Sequence, residues 1–107
     1  PEMQQQLEKE FFKASKLNKL RMVPAGQAFS YINQNFPDIN LYTEDLRHPS
    51  KEGTYLAALM IFTTLSNKSP IGNTYKMGID SEVAETLQEV AWFTHQNFKK
   101  RSLNSGL

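Results

Sequence analysis

A chain of 107 residues has room for one domain, and its 39% hydrophobic and 21% charged residues lie in the ordinary globular range. Its 12 basic and 11 acidic residues leave a net charge of +1, so the basic footprint that nucleic acid requires is missing. With no cysteine, disulfides, a thiolate nucleophile and Cys-ligated zinc are excluded, and no apolar run reaches the ~18 residues of a membrane span.

From Glu2 to Asn18 the apolar residues Met3, Leu7, Phe11, Ala14 and Leu17 recur at spacings of three and four, one face of an amphipathic helix. Leu20-Arg21-Met22-Val23, stopped by Pro24, reads as a short strand. Pro24-Ala25-Gly26 then turns into a second helical segment, Gln27 to Asn35, with Ala28, Phe29 and Ile32 inward, Phe36 joining them, Tyr31 beside it and Pro37-Asp38 at its end. Ile39 to Ser50 reads as loop, anchored by Leu41 and Tyr42. Pro49 disfavours helical geometry at His48, and Ser50 is a good N-cap for the segment that follows.

Lys51 to Asn67 is helical and apolar on nearly every side, from Tyr55 through Leu65, so it must be covered on more than one side. Ser69 to Asn73 is a turn-rich loop. Asp80 or Ser81 caps a last helix to about Phe98, with Val83, Leu87, Val90, Ala91 and Phe98 inward, and residues 102–107 are expected to be a disordered tail. One strand cannot make a sheet, yet the Lys51–Asn67 helix invites one. The rest of the fold is therefore expected upstream of Pro1 or on another chain, and the partner is expected to be that missing N-terminal part or a second copy.

Catalytic residue types gather in one place, Glu44-Asp45-Leu46-Arg47-His48-Pro49-Ser50. An Asp three residues before a His on a loop can set its carboxylate beside the imidazole, fix the tautomer and stabilise the imidazolium. Histidine suits proton transfer because it titrates near working pH. The plainer alternative is a surface loop in which Asp45 pairs with Arg47 or caps a turn.

The longer block Leu41-Tyr42-Thr43-Glu44-Asp45-Leu46-Arg47-His48-Pro49-Ser50-Lys51-Glu52-Gly53-Thr54-Tyr55-Leu56-Ala57-Ala58 resembles the last sequence block of SGNH (GDSL-type) hydrolases. In that family an Asp and a His three residues apart precede P-S-x-x-G and a buried helix. A bacterial SGNH-like branch is the nearest in pattern. Its V-P-x-G-x-A-W is echoed by Val23-Pro24-Ala25-Gly26-Gln27-Ala28-Phe29, with Phe29 where that branch has tryptophan. The close of the third helical segment, Thr63-Thr64-Leu65-Ser66-Asn67-Lys68-Ser69-Pro70, resembles the way the family's helix ends.

The resemblance covers roughly residues 20 to 72. It implies an α/β fold, with this chain as the C-terminal, helix-rich portion of a three-layer parallel-sheet (flavodoxin-like) domain. It also implies hydrolysis of a small acyl ester without a cofactor, His48 acting as general base and acid and Asp45 as its orienting partner. The family's G-D-S nucleophile block and its glycine and Asn oxyanion blocks are not in this sequence. Ser50 falls where the family has a structural serine. On this reading the 107 residues alone are inactive.

The other candidates have plainer readings. Glu44, Asp45 and His48 form too thin a set for a metal centre. His95 falls off the Val83–Leu87–Val90 face and reads as solvent-facing. Trp92 and Phe93 read as core or plain surface before binding surface, and the scattered methionines as packing. Tyr42 and Arg47 flank the Asp–His pair and read as a loop anchor and a solvated charge before pocket walls. A non-catalytic helical interaction module, or a domain binding carbohydrate or protein, is the alternative to the hydrolase.

Overall fold

The computed structural model describes residues 23–44 and 48–104, with side chains through residue 100. In chain order the helices are α1 (Ala25–Asn35), α2 (Lys51–Ser66) and α3 (Ser81–Asn104). Each packs on the other two. The amphipathic segment Glu2–Asn18 and residues 20–22 of the expected strand lie outside the described residues. Val23 is irregular. Helix α3 continues through residues 102–104 of the expected tail.

The parallel sheet expected from the sequence is not found. Among the described residues the chain is helical, and its strand-like pairing is a single isolated bridge between Tyr42 and Pro49. The physical reason lies in α2. Its apolar surface does demand cover on several sides, but α1 and α3 supply that cover. Tyr55, Leu56, Leu59, Met60 and Phe62 of α2 share one buried core with Ala28 and Ile32 of α1 and with Ala84, Leu87, Val90 and Ala91 of α3. Leu41 and Ile79 close it from the loops. The remaining side of α2, Ala57, Ala58, Ile61 and Leu65, is half-buried.

The helix ends follow from local chemistry. The Ser50 hydroxyl accepts from the Gly53 N–H and caps α2. Asn67 ends α2 in the left-handed region at φ 56°, its N–H bonded to the Thr63 carbonyl. A carboxylate oxygen of Asp80 accepts from the Glu82 and Val83 N–H groups at the start of α3.

A polar cluster runs through the core. Gln88 is fully buried, and its amide nitrogen donates to the Tyr55 hydroxyl at 2.9 Å and to the Asn73 carbonyl at 3.1 Å. Its amide oxygen accepts from the Gly72 N–H, and the Tyr55 hydroxyl donates to the Tyr75 carbonyl. One side chain thus ties α2, α3 and the loop between them. Gln88→Leu keeps the volume but strands the Gly72 N–H and the Asn73 carbonyl. It should cost about 2–3 kcal/mol in urea unfolding, whereas Tyr55→Phe should cost about 1 kcal/mol. Equal losses would mean that the loop finds other partners.

Candidate functional site

The loop carrying the Asp–His motif is held at its base. The Thr43 N–H donates to the His48 carbonyl at 2.9 Å, and the Ser50 N–H donates to the Leu41 carbonyl at 2.8 Å. The Thr43 hydroxyl also reaches the His48 carbonyl. Leu41 is buried beneath, while Tyr42 leans its ring on Phe29 of α1 at 5.9 Å between centroids. His48 and Glu44 lie on the exposed side. Asp45, Leu46 and Arg47 lie outside the described residues, so the structure brings together the frame of the motif and its histidine.

The loop can turn this tightly because of Gly53. A Cβ on that residue would run into the Leu41 carbonyl oxygen and press on Pro49. The Ser50 hydroxyl is committed on both sides, donating to the Asn40 carbonyl at 2.6 Å and accepting from Gly53. It is therefore a structural serine, as its place in the motif implies. The spaced residues of the block each act locally. Leu41 anchors the loop, Ser50 caps α2, Gly53 admits the close approach and Tyr55 enters the Gln88 cluster.

No family model, curated protein or solved structure matches the chain. The likeness to SGNH hydrolases thus rests on the residues of the block themselves. Among the described residues no three His, Asp or Glu side chains gather as a metal-binding set. No described helix is long and apolar enough to cross a membrane.

Sequence reasoning misplaced His95. It is only 6% exposed, with its Nε2 2.7 Å from the carboxamide oxygen of Asn67, the residue that ends α2. Burial disfavours the charged ring, and in the neutral tautomer that donates from Nε2 to Asn67 the buried Nδ1 has no hydrogen-bond partner among the described residues. Of the expected inward residues of α3, Leu87, Val90 and Ala91 are buried and Val83 packs against the core, while Ala84, Gln88, Thr94 and His95 widen the buried face beyond that stripe. Trp92 is half-buried against the His95 ring, and Phe93 is 51% exposed. The spacing of Ala84, Gln88, Ala91 and His95 was the available signal, hidden by two polar residues on a core face.

Burial, and then the nearby Lys99 charge, hold the His95 pKa below its ordinary 6.5. A histidine with a lowered folded pKa adds stability that is present above pH 6.5 and is lost as pH falls through the folded value. His95→Gln, which can still donate to Asn67, should therefore flatten the loss of stability between about pH 7 and 5 in thermal melts. A parallel pH profile would place the acid sensitivity elsewhere. In the first turn of α2, Gly53→Ala should cost about 2–3 kcal/mol by overpacking. The capping loss of Ser50→Ala should be about 1 kcal/mol. Urea unfolding of the two variants tests this order.

Proposed function

We propose that this chain supplies the base half of a serine-dependent acyl-ester hydrolase, with His48 as general base and acid and Asp45 as its orienting partner. The observation that carries the reading is the braced loop. Its base is fixed by the Thr43–His48 and Leu41–Ser50 bonds, and it presents His48 on the exposed side immediately before α2. Proton transfer needs a base held within hydrogen-bond reach of its partner, and a loop closed at its base favours that. The likeness of residues 41–58 to the family block supports the same assignment.

In this reading Asp45 accepts a hydrogen bond from the Nδ1–H of His48, and Nε2 takes the proton from a serine hydroxyl. The serine oxygen then bonds to the ester carbonyl carbon, and the carbonyl electron pair moves onto oxygen. Collapse of that intermediate breaks the bond to the alcohol, which leaves with the proton from Nε2. Water repeats the cycle on the acyl-enzyme. The nucleophilic serine and the oxyanion donors come from a further polypeptide segment, for which the half-buried Ala57–Ala58–Ile61–Leu65 side of α2 offers a seat. A second reading, a non-catalytic interaction module, is favoured by the absence of a sheet among the described residues.

The test is fluorophosphonate labelling of the polypeptide encoded with this chain in one reading frame, comparing wild type, His48→Ala and Asp45→Asn. Both variants should slow labelling by about 10²-fold or more. The 107-residue chain alone should not turn over p-nitrophenyl esters faster than free imidazole, because it lacks oxyanion donors. If both variants label at the wild-type rate, the pair is structural and the module reading stands.

A further inference from the structure

We propose that the aromatic groove between α1 and α3 binds a proline-rich peptide as a polyproline II helix, with a basic residue of the peptide beside Glu89. The groove stands apart from the Asp–His loop, since no described residue of 39–50 lines it, and its use does not depend on the hydrolase reading.

Three aromatic ridges divide that surface. Tyr31 of α1 tilts against Phe93 of α3 with 5.6 Å between ring centroids, and the pair forms the central ridge. Phe98 of α3 stands on one side of it, and Phe36 at the end of α1 on the other. Two adjoining clefts of about 340 and 330 Å³ lie between the ridges and share Tyr31 and Phe93. Tyr31, Phe36 and Phe93 are all exposed, Phe93 by 51%. Rings gathered in one exposed strip are uncommon on a monomer and mark a binding surface.

The spacing of the clefts points to the ligand. One cleft takes Phe93, Thr94, Asn97 and Phe98 from α3, the other Thr86, Glu89, Val90 and Phe93. Their midpoints are about six residues apart on the helix, or roughly 9 Å at the α-helical rise. A polyproline II helix rises about 3.1 Å per residue with three residues per turn, so prolines three apart also fall about 9 Å apart on one face. Each cleft then seats one proline, with the Tyr31–Phe93 ridge between the two. Aromatic-lined grooves receive such peptides because the extended helix is already formed and little entropy is lost on binding.

The polar groups along the groove fit the same ligand. In a polyproline helix the carbonyls are free and the prolines carry no N–H, so the groove needs donors and few acceptors. The carboxamides of Gln27 and Asn97 and the hydroxyls of Tyr31 and Thr86 can donate. An oligosaccharide would instead set hydroxyl donors over the Phe93 and Val90 side chains, which offer no acceptor. Glu89 is exposed, and among the described residues it is the one charged group lining either cleft. Its carboxylate puts the basic residue of the peptide at that end of the groove and so fixes the register.

The test is an NMR titration of the ¹⁵N-labelled 107-residue chain with hexaproline carrying one arginine at each end. Amides around Tyr31 and Phe93 should shift, while those around His48 should not. Tyr31→Ala and Phe93→Ala should each weaken binding about tenfold or more. Both rings are exposed, so the α2 amides should keep their positions in these variants. Glu89→Gln should remove the advantage of the arginine-flanked peptide over bare hexaproline. Equal binding of hexaglycine with the same arginines would leave charge alone as the cause and overturn the proposal. So would shifts that both alanine variants leave undiminished, or no shift in the groove at all. A stronger response to cellohexaose than to the peptide would assign the groove to a neutral glycan and likewise overturn it.

Discussion

A carboxamide buried in a helical core carries a heavy desolvation cost unless its donors and acceptor are matched. Gln88 meets that condition by drawing on the Tyr55 hydroxyl of α2 and on two backbone groups of the α2–α3 loop. The match needs α2 and α3 at one fixed height relative to each other. Their packing then sets the direction in which α2 starts, and the start of α2 is where the Asp–His loop is anchored. Burial also pushes the Tyr55 phenol above its ordinary pKa despite the Gln88 bond that opposes this, so the phenol enters the cluster as a neutral donor.

Around that tie the helices make a second attachment. His95 reaches Asn67 at the far end of α2, so α3 grips α2 near both termini. The two grips differ in kind. At the Tyr55 end the partners stay neutral through the ordinary pH range. At the Asn67 end the grip uses a ring that can take a proton, beside Lys99, in a setting that penalises charge.

Local signals in the sequence were sound where one residue settles the matter. Ser50 and Asp80 start their helices as N-caps, and Pro49 separates the loop from α2. The fold class was not legible, because an all-round apolar helix states that it must be covered and not by what. A sheet and a pair of helices satisfy Tyr55, Leu59 and Phe62 equally. The apolar residues Leu87, Val90 and Ala91 of α3 were read as inward and are buried, but the polar members of that face were missed for a related reason. Gln88 completes its hydrogen bonds inside and His95 bonds Asn67 there, and hydropathy reads such residues as outward. Around the candidate site, the irregular backbone at His48 and Pro49 before α2 was legible in the sequence, while Asp45 lies outside the described residues.

The loop between α2 and α3 has a further consequence for how this chain tolerates change in length. Gly72 and Asn73 give their backbone groups to Gln88, Asn73 turns its side chain onto the Tyr75 N–H, and Gly72, Met77 and Gly78 all sit at positive φ. An added or deleted residue there would shift several of these groups off their partners at once. The turn at Pro37–Asp38 is exposed and carries no comparable ties to the core. Insertions, tags or a new chain end are accommodated by exposed turns of that kind. The molecule can be lengthened at the end of α1, whereas the α2–α3 connection has its length set from inside.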